Sequence, residues 1–473
     1  MGHTHSAIIK NQTSKQPSTL NVCAAMAVML SLTGCDLIKD LPIGNGYAAK
    51  NICSGYFISH IEPERLIDQF IAPQIEPLPR LLTIDINEDT RIVHVEDKIF
   101  KQTFAVDAYY REGFGCTILH SATIEDLNNQ LPPLLTYDLP QQLQWPLGSA
   151  APNRNIPHIE YAAIDSAIHT AFEENENKTR NTMAVTVAYG DQLIAEKYAP
   201  GIDKSTKLIG WSMSKSFTST LIGLLQDRGL IDIEQPAAVP EWHNTQSEGI
   251  TLKHLLHMAS GKEWFEESRG PNHDQGFILH RTEDFAEFYI KQPQVAEPGS
   301  LYNYSTGSTS LLARLAQDSL GGDLSDSYYF MQDALFQKIN ITSAELEYDT
   351  AGQPAGGSYL WLTARDWARL GLLYLKKGNW FGNQVLTEEW INFALTPSSS
   401  NPEYGAQIWL NTNKSVWPTL PENSFGFLGH QAQRVIVVPD YQLVVVRLGF
   451  TFEGGVDNTE QLIHNIIQAL PQT

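Results

Sequence analysis

The sequence predicts a two-lobe α+β protein. One antiparallel sheet, flanked by helices, is assembled from both ends of the main domain, and a mainly helical lobe lies between. Strand-like runs bounded by turn residues stand near residues 182–198 and again near 434–447, and the long stretch between them reads as helical. Strands at both ends with helices in the middle point to one sheet closed by the two ends.

The elements follow in order. Residues 160–174 suit a helix. Met183-Ala184-Val185-Thr186-Val187-Ala188, a Gly190-Asp191 turn and Leu193-Ile194-Ala195 read as a hairpin. Residues 212–226 read as a helix with an apolar run at Phe217, Leu221, Ile222, Leu224 and Leu225. Near the end come strands at 407–410, 434–438 and 443–447, with a Pro439-Asp440 turn between the last two. A final helix is expected at about 458–470, opened by the capping residues Asn458, Thr459 and Glu460.

Upstream, residues 51–131 read as a small N-terminal extension. It has strand-like runs at Tyr56-Phe57-Ile58, Leu81–Ile84 and Arg91–Val95, and a helical stretch near 62–71. Residues 132–157 are rich in proline and glutamine and read as a linker or an extended wrap over the domain at 158–473.

The chain has 473 residues, 42% of them hydrophobic, enough to bury a sizeable core. Its formal net charge of −21 argues against a nucleic-acid partner, because phosphate binding needs clustered lysine and arginine.

Residues 1–19 carry Lys10 and Lys15 and no acid, and residues 20–34 form an apolar stretch too short to span a membrane. The whole of 1–34 suits a signal peptide. Leu32-Thr33-Gly34-Cys35 resembles a bacterial lipobox. The resemblance implies cleavage before Cys35 and a lipid on its thiol. The protein would then sit on the periplasmic side of the cell envelope, at the inner membrane if the enteric rule for Asp36 applies. Residues 35–50 would be the tether. The competing reading is an ordinary secretion signal with a chance cysteine. Cys53 and Cys116 then remain in an oxidising compartment, where a disulfide is expected; the alternative is two buried free thiols.

Ser212-Met213-Ser214-Lys215 carries the chemistry. On a helix, Ser212 and Lys215 share one face, and a desolvated lysine beside a serine can take its proton. By itself the pattern also fits ordinary helix capping. Tyr304-Ser305-Thr306-Gly307 follows at a loop–helix junction, where a tyrosine beside Lys215 would have its pKa lowered and serve as base or relay; taken alone it fits a packing tyrosine. The third element is Gly429-His430-Gln431-Ala432-Gln433 before the 434–438 strand. A small Ala432 would let substrate approach, and the N–H groups of Gln433 and Ser212 would form an oxyanion hole.

In this order the three elements resemble the serine β-lactamase and penicillin-binding-protein superfamily, most closely its class C-type esterase and 6-aminohexanoate-dimer hydrolase branch. Ile209-Gly210-Trp211, Thr251–Gly261, Gly356-Gly357-Ser358-Tyr359 and Thr363–Gly371 agree with that branch. The resemblance covers about residues 160–470. It implies a β-lactamase/transpeptidase-like fold and hydrolysis of a small-molecule ester or amide through an acyl-enzyme on Ser212. Lys215 and Tyr304 would share the proton, without a metal or cofactor. Trp211, Thr306, His430 and Ala432 would contact substrate.

The sequence departs from the family where Thr306 replaces the Asn of Tyr-x-Asn and where His430-Gln431-Ala432 replaces Lys-Thr-Gly. Both departures favour esters or simple amides over β-lactams and D-amino-acid peptides, which stay as alternatives. The alternative of a different class is an inactive lipoprotein that keeps the fold as a binding module.

Other chemistries fit less well. Gly210-Trp211-Ser212-Met213-Ser214 breaks G-x-S-x-G at its last position, and His254 and His257 read as a helix pair rather than metal ligands.

Overall fold

In the computed structural model, residues 39–174, 179–266, 273–452 and 455–471 are described. The signal-like segment 1–34, Cys35 and Asp36 lie outside them.

The chain enters through helix α1, residues 39–57. The expectation of a tether over 35–50 is corrected for residues 39–50, while 35–38 lie outside the described residues. Leu41, Asn45, Ala48 and Ala49 are fully buried, so residues 39–50 are core. Of the expected strand at 56–58, Tyr56 and Phe57 end the same helix and Ile58 lies in the turn that follows. The segment misleads because its polar residues find distant partners: the Asn45 side chain donates to Phe104 O at 2.8 Å, and Lys50 pairs with Glu347. Helical turns from Pro63 to Ile75 follow. A four-stranded antiparallel sheet comes next: β1 (Leu82–Asn87), β2 (Ile92–Asp97), β3 (Lys101–Arg111) and β4 (Gly115–Ile118). The last two strands had no counterpart in the sequence reading.

Cys53 on α1 and Cys116 on β4 form a disulfide. The extension also packs into the main domain. Glu347 accepts from Lys50 Nζ, from Ser54 Oγ at 2.6 Å and from Cys116 N at 3.0 Å. Residues 132–157 wrap the domain as an extended strap. Trp145 is 2% exposed and donates to Arg365 O, and Arg369 donates to Pro146 O and Gly148 O.

Helix α2 (Tyr161–Ala171) leads into the hairpin β5 (Thr182–Tyr189) and β6 (Gln192–Tyr198), and α3 (Met213–Asp227) follows. The helical lobe includes α4 (Asp274–Arg281) and α5 (Thr306–Asp318), and α6 (Ala364–Leu375) returns to the sheet. Strands β7 (Trp409–Leu410), β8 (Phe425–Gly429), β9 (Gln433–Val438) and β10 (Leu443–Gly449) precede the last helix, α7 (Thr459–Gln468).

The main sheet is antiparallel throughout in the order β7-β8-β9-β10-β5-β6, so the two chain ends meet at β10 and β5, with Val445 opposite Val187. Alternation divides its faces. Val185, Val187, Ile436, Val438 and Val445 pack with Ile164, Ile463 and Ile466 of α2 and α7. Val435, Val437, Val444 and Val446 pack on the other face among residues of α3 and α6. Pro439 and Tyr441 turn β9 into β10 as the sequence indicated. The strand expected at 407–410 shrinks to β7, because Gln407 has a positive φ of 63° and its side chain bonds the helical lobe.

Candidate active site

The Leu208–Ile209 strand delivers the chain to Trp211, whose φ of +47° is rare for a large side chain. That backbone turn sets Ser212 at the start of α3. From Trp211 to Leu225 every residue is buried except Ser212, so the fold presents this one hydroxyl.

One turn on, the Lys215 amine makes three hydrogen-bond contacts: Ser212 Oγ at 3.0 Å, Thr306 Oγ1 at 2.9 Å and Gly357 O at 2.9 Å. None of the three partners is charged. Burial therefore lowers the Lys215 pKa to about 8, with Glu266 opposing the shift. A neutral amine has two N–H bonds and one lone pair. With the N–H bonds given to Thr306 and Gly357, the lone pair is left for the Ser212 proton.

Tyr304 meets the same serine through its hydroxyl, and the Lys215 amine stands 5.1 Å from its ring centroid. The expected lowering of its pKa is corrected. Burial first, and then Glu266, raise the phenol well above its ordinary value, with only the Ser212 contact acting the other way. Tyr304 is a neutral hydroxyl here.

Thr306 does not contact the cleft. It is fully buried, and its hydroxyl accepts from Lys215 while donating to Glu266 Oε1 at 2.6 Å. Glu266 also accepts from Thr306 N at 2.8 Å and from Trp264 Nε1 at 2.6 Å. The sequence reading missed Glu266. Its only signal was an acid just beyond the Thr251–Gly261 match.

The Gly429–Gln433 corner is also rearranged. Gln433 N–H donates to His430 O across a 3₁₀ turn, so it is spent inside the corner and is not an oxyanion donor. Ala432, with φ of +58°, is buried and gives its carbonyl to Arg447. It does not line the cleft as expected. The small residue that matters is Gly429: a Cβ there would sit 2.2 Å from Gly210 O, so its absence lets β8 reach the backbone just before Ser212. Trp211 and His430 do line the cleft, 5.7 Å apart edge to face. His254 closes a capping box with Thr251, and His257 stacks on Phe393.

The cleft above Ser212 has a volume of about 450 Å³. Its walls come from Trp211, Tyr304, Trp409 and Leu428, from α4 and Glu266, and from Ile43, Tyr47, Gln74 and Ile75 of the N-terminal extension.

A 6-aminohexanoate-dimer hydrolase of Paenarthrobacter ureafaciens is 26% identical over 309 residues, spanning 60% of this chain and 76% of its own. A class C β-lactamase structure superposes with a TM-score of 0.52 at 15% identity, over 68% of this chain and 100% of that one. A penicillin-binding-protein homologue of Caulobacter crescentus gives 0.52 at 14%, over 66% and 97%. These two share the fold. The sequence model of the family described as Beta-lactamase matches residues 169–466, more than half of the chain and the whole stretch that carries Ser212, Lys215 and Tyr304, and the chain therefore belongs to that family.

Proposed function

We propose that this protein is a serine hydrolase that cleaves a carboxylic ester or amide through an acyl-enzyme on Ser212. The observation that carries the reading is the 3.0 Å contact between Ser212 Oγ and a buried Lys215 amine whose other partners are both neutral acceptors. Ser212 Oγ attacks the carbonyl and its proton passes to Lys215 Nζ. The first N–H groups of a helix lack intrahelical partners, so the Ser212 N–H is the proposed oxyanion donor. A second donor comes from the Leu428–His430 backbone. It lines the cleft at an edge that β7 leaves open, since β7 pairs only with Phe425 and Gly426. The Lys215 ammonium and the neutral Tyr304 hydroxyl return the proton to the leaving group. Water then releases the acyl group by the reverse path.

Lipidation at Cys35, with the protein held at the periplasmic membrane face, remains part of the proposal on the strength of the Leu32–Cys35 motif. The test is a panel of four substrates: a p-nitrophenyl ester, a linear amide oligomer, a D-amino-acid peptide and a β-lactam, each with Ser212→Ala as control. Ester or amide turnover that vanishes in the variant is expected. Turnover unchanged by it ends the proposal.

A further inference from the structure

The catalytic residues all lie within the family match, but one wall of the cleft does not. Ile43 and Tyr47 of α1 and Ile75 of the following helical turns are 5%, 7% and 2% exposed, and all three line the cleft together with Trp211 and Leu279. The Tyr47 and Trp211 rings are parallel at 6.5 Å, and the Tyr47 ring meets His280 edge to face at 5.4 Å.

This wall is fixed from several sides. A Cβ on Gly46 would lie 2.8 Å from both the Cβ and the carbonyl of His280, so α1 lies directly on α4. Farther along, the disulfide and the Lys50–Glu347 pair tie α1 to β4 and to the catalytic domain. Gln74 bonds His430 Nε2 at 2.8 Å, and Phe70 stacks on Phe450 at 4.5 Å between centroids.

The charge in the cleft is as informative as the wall. Among the described residues lining it, Arg434 is the only lysine or arginine, and it is held by Asp457 at 2.7 Å. Glu266 supplies a carboxylate close to the nucleophile. His280 is kept neutral by burial, its pKa about 3. A substrate carboxylate would thus meet, besides the imidazoles of His273 and His430, a carboxylate and a cation already paired, whereas an apolar chain would meet buried Ile, Tyr and Trp surface.

We propose that α1 and the 74–75 turn form the specificity wall of the active site. Ile43, Tyr47 and Ile75 would select uncharged esters or amides whose apolar chain lies against them. This deepens the serine-hydrolase reading and rests on it. Each buried methylene is worth about fourfold in binding, so a wall of this size discriminates by chain length.

The test compares kcat/KM for p-nitrophenyl acetate and octanoate in the full chain, in Ile43→Ala with Ile75→Ala, and in Ile43→Trp. The parent is expected to favour octanoate. The alanine pair should lower the octanoate-to-acetate ratio about tenfold. Ile43→Trp, which fills the wall, should lower octanoate turnover far more than acetate turnover. Equal factors on both esters in both variants would overturn the proposal. A second measurement needs no variant. In a crystal structure of the parent labelled with an octyl phosphonate, the chain is expected along Ile43 and Ile75, and a chain lying elsewhere overturns the proposal. Loss of all Ser212-dependent acetate turnover in the parent would instead refute the hydrolase reading itself.

Discussion

Glu266 holds Thr306 by two hydrogen bonds, one to its backbone N–H at 2.8 Å and one to its hydroxyl at 2.6 Å. The second fixes the polarity of the next bond, because a hydroxyl that donates to Glu266 must accept from Lys215. The carboxylate thus orients the Lys215 amine through one intervening oxygen, and its charge raises the Lys215 pKa against the lowering by burial. In Glu266→Gln that charge is gone, so the Lys215 pKa falls and the rising limb of the pH–kcat/KM profile moves to lower pH. One of the two acceptor positions also becomes a donor, so kcat is expected to fall about tenfold, the usual scale for one charge-assisted bond. A limb that moves to higher pH would contradict this electrostatic role.

With a pKa of about 8, the Lys215 amine is neutral in roughly a tenth of molecules at pH 7, against roughly one in 3000 for an ordinary lysine. Only the neutral amine accepts a proton, so kcat/KM should rise with pH and level off above about pH 8. Lys215→Ala should lose about 10²–10⁴-fold. Tyr304→Phe should slow turnover yet keep the limb near pH 8, since the phenol is protonated throughout that range. Disappearance of the limb in Tyr304→Phe would make the phenol, and not the amine, the group that titrates.

Gly429 tests the approach of β8 to Ser212. Its φ of −126° suits any residue, so Gly429→Ala acts through sterics alone, with the new Cβ 2.2 Å from Gly210 O and 2.9 Å from the Gln433 Cβ. The strand must retreat, at a cost of about 1–3 kcal/mol in stability. Ester turnover is expected to drop at least tenfold as the cleft edge moves off Ser212. Steady-state kinetics beside urea unfolding would show whether both fall; full activity would place the oxyanion contact elsewhere.

The latch between extension and domain is testable by stability. Lys50 and Glu347 have side chains 3% and 0% exposed, so Glu347→Ala leaves a buried amine without its counter-charge. A loss of about 3–5 kcal/mol is expected in urea unfolding, and Lys50→Met combined with Glu347→Leu should recover much of it. A loss below about 1 kcal/mol would mean that the pair does not hold the extension in place.

Local signals were legible in the sequence and distant ones were not. Ser212 and Lys215 lie one helical turn apart, so their meeting follows from spacing, and the valine-rich β5, β9 and β10 announce a sheet by composition. Cys53 and Cys116 pair by elimination, once the cysteine of the signal-like segment and Cys35 of the lipobox are set aside. By contrast, Gly357 takes part through a backbone carbonyl that no side-chain pattern marks. In helix α1, no local pattern marks Asn45 and Lys50 as core, and only the folded chain shows the Phe104 carbonyl and the Glu347 carboxylate that receive them. Gln433 and Ala432 were misassigned because the positive φ angles of Gln431 and Ala432 curl the chain into a turn where an extended strand entry was expected.

The central claim is that Ser212 is the acyl-accepting nucleophile. The most direct measurement is peptide mapping by mass spectrometry after treatment with a fluorophosphonate. A single adduct on the peptide containing Ser212, absent from Ser212→Ala, is the expected result. An adduct at another residue, or equal labelling of the variant, would contradict it.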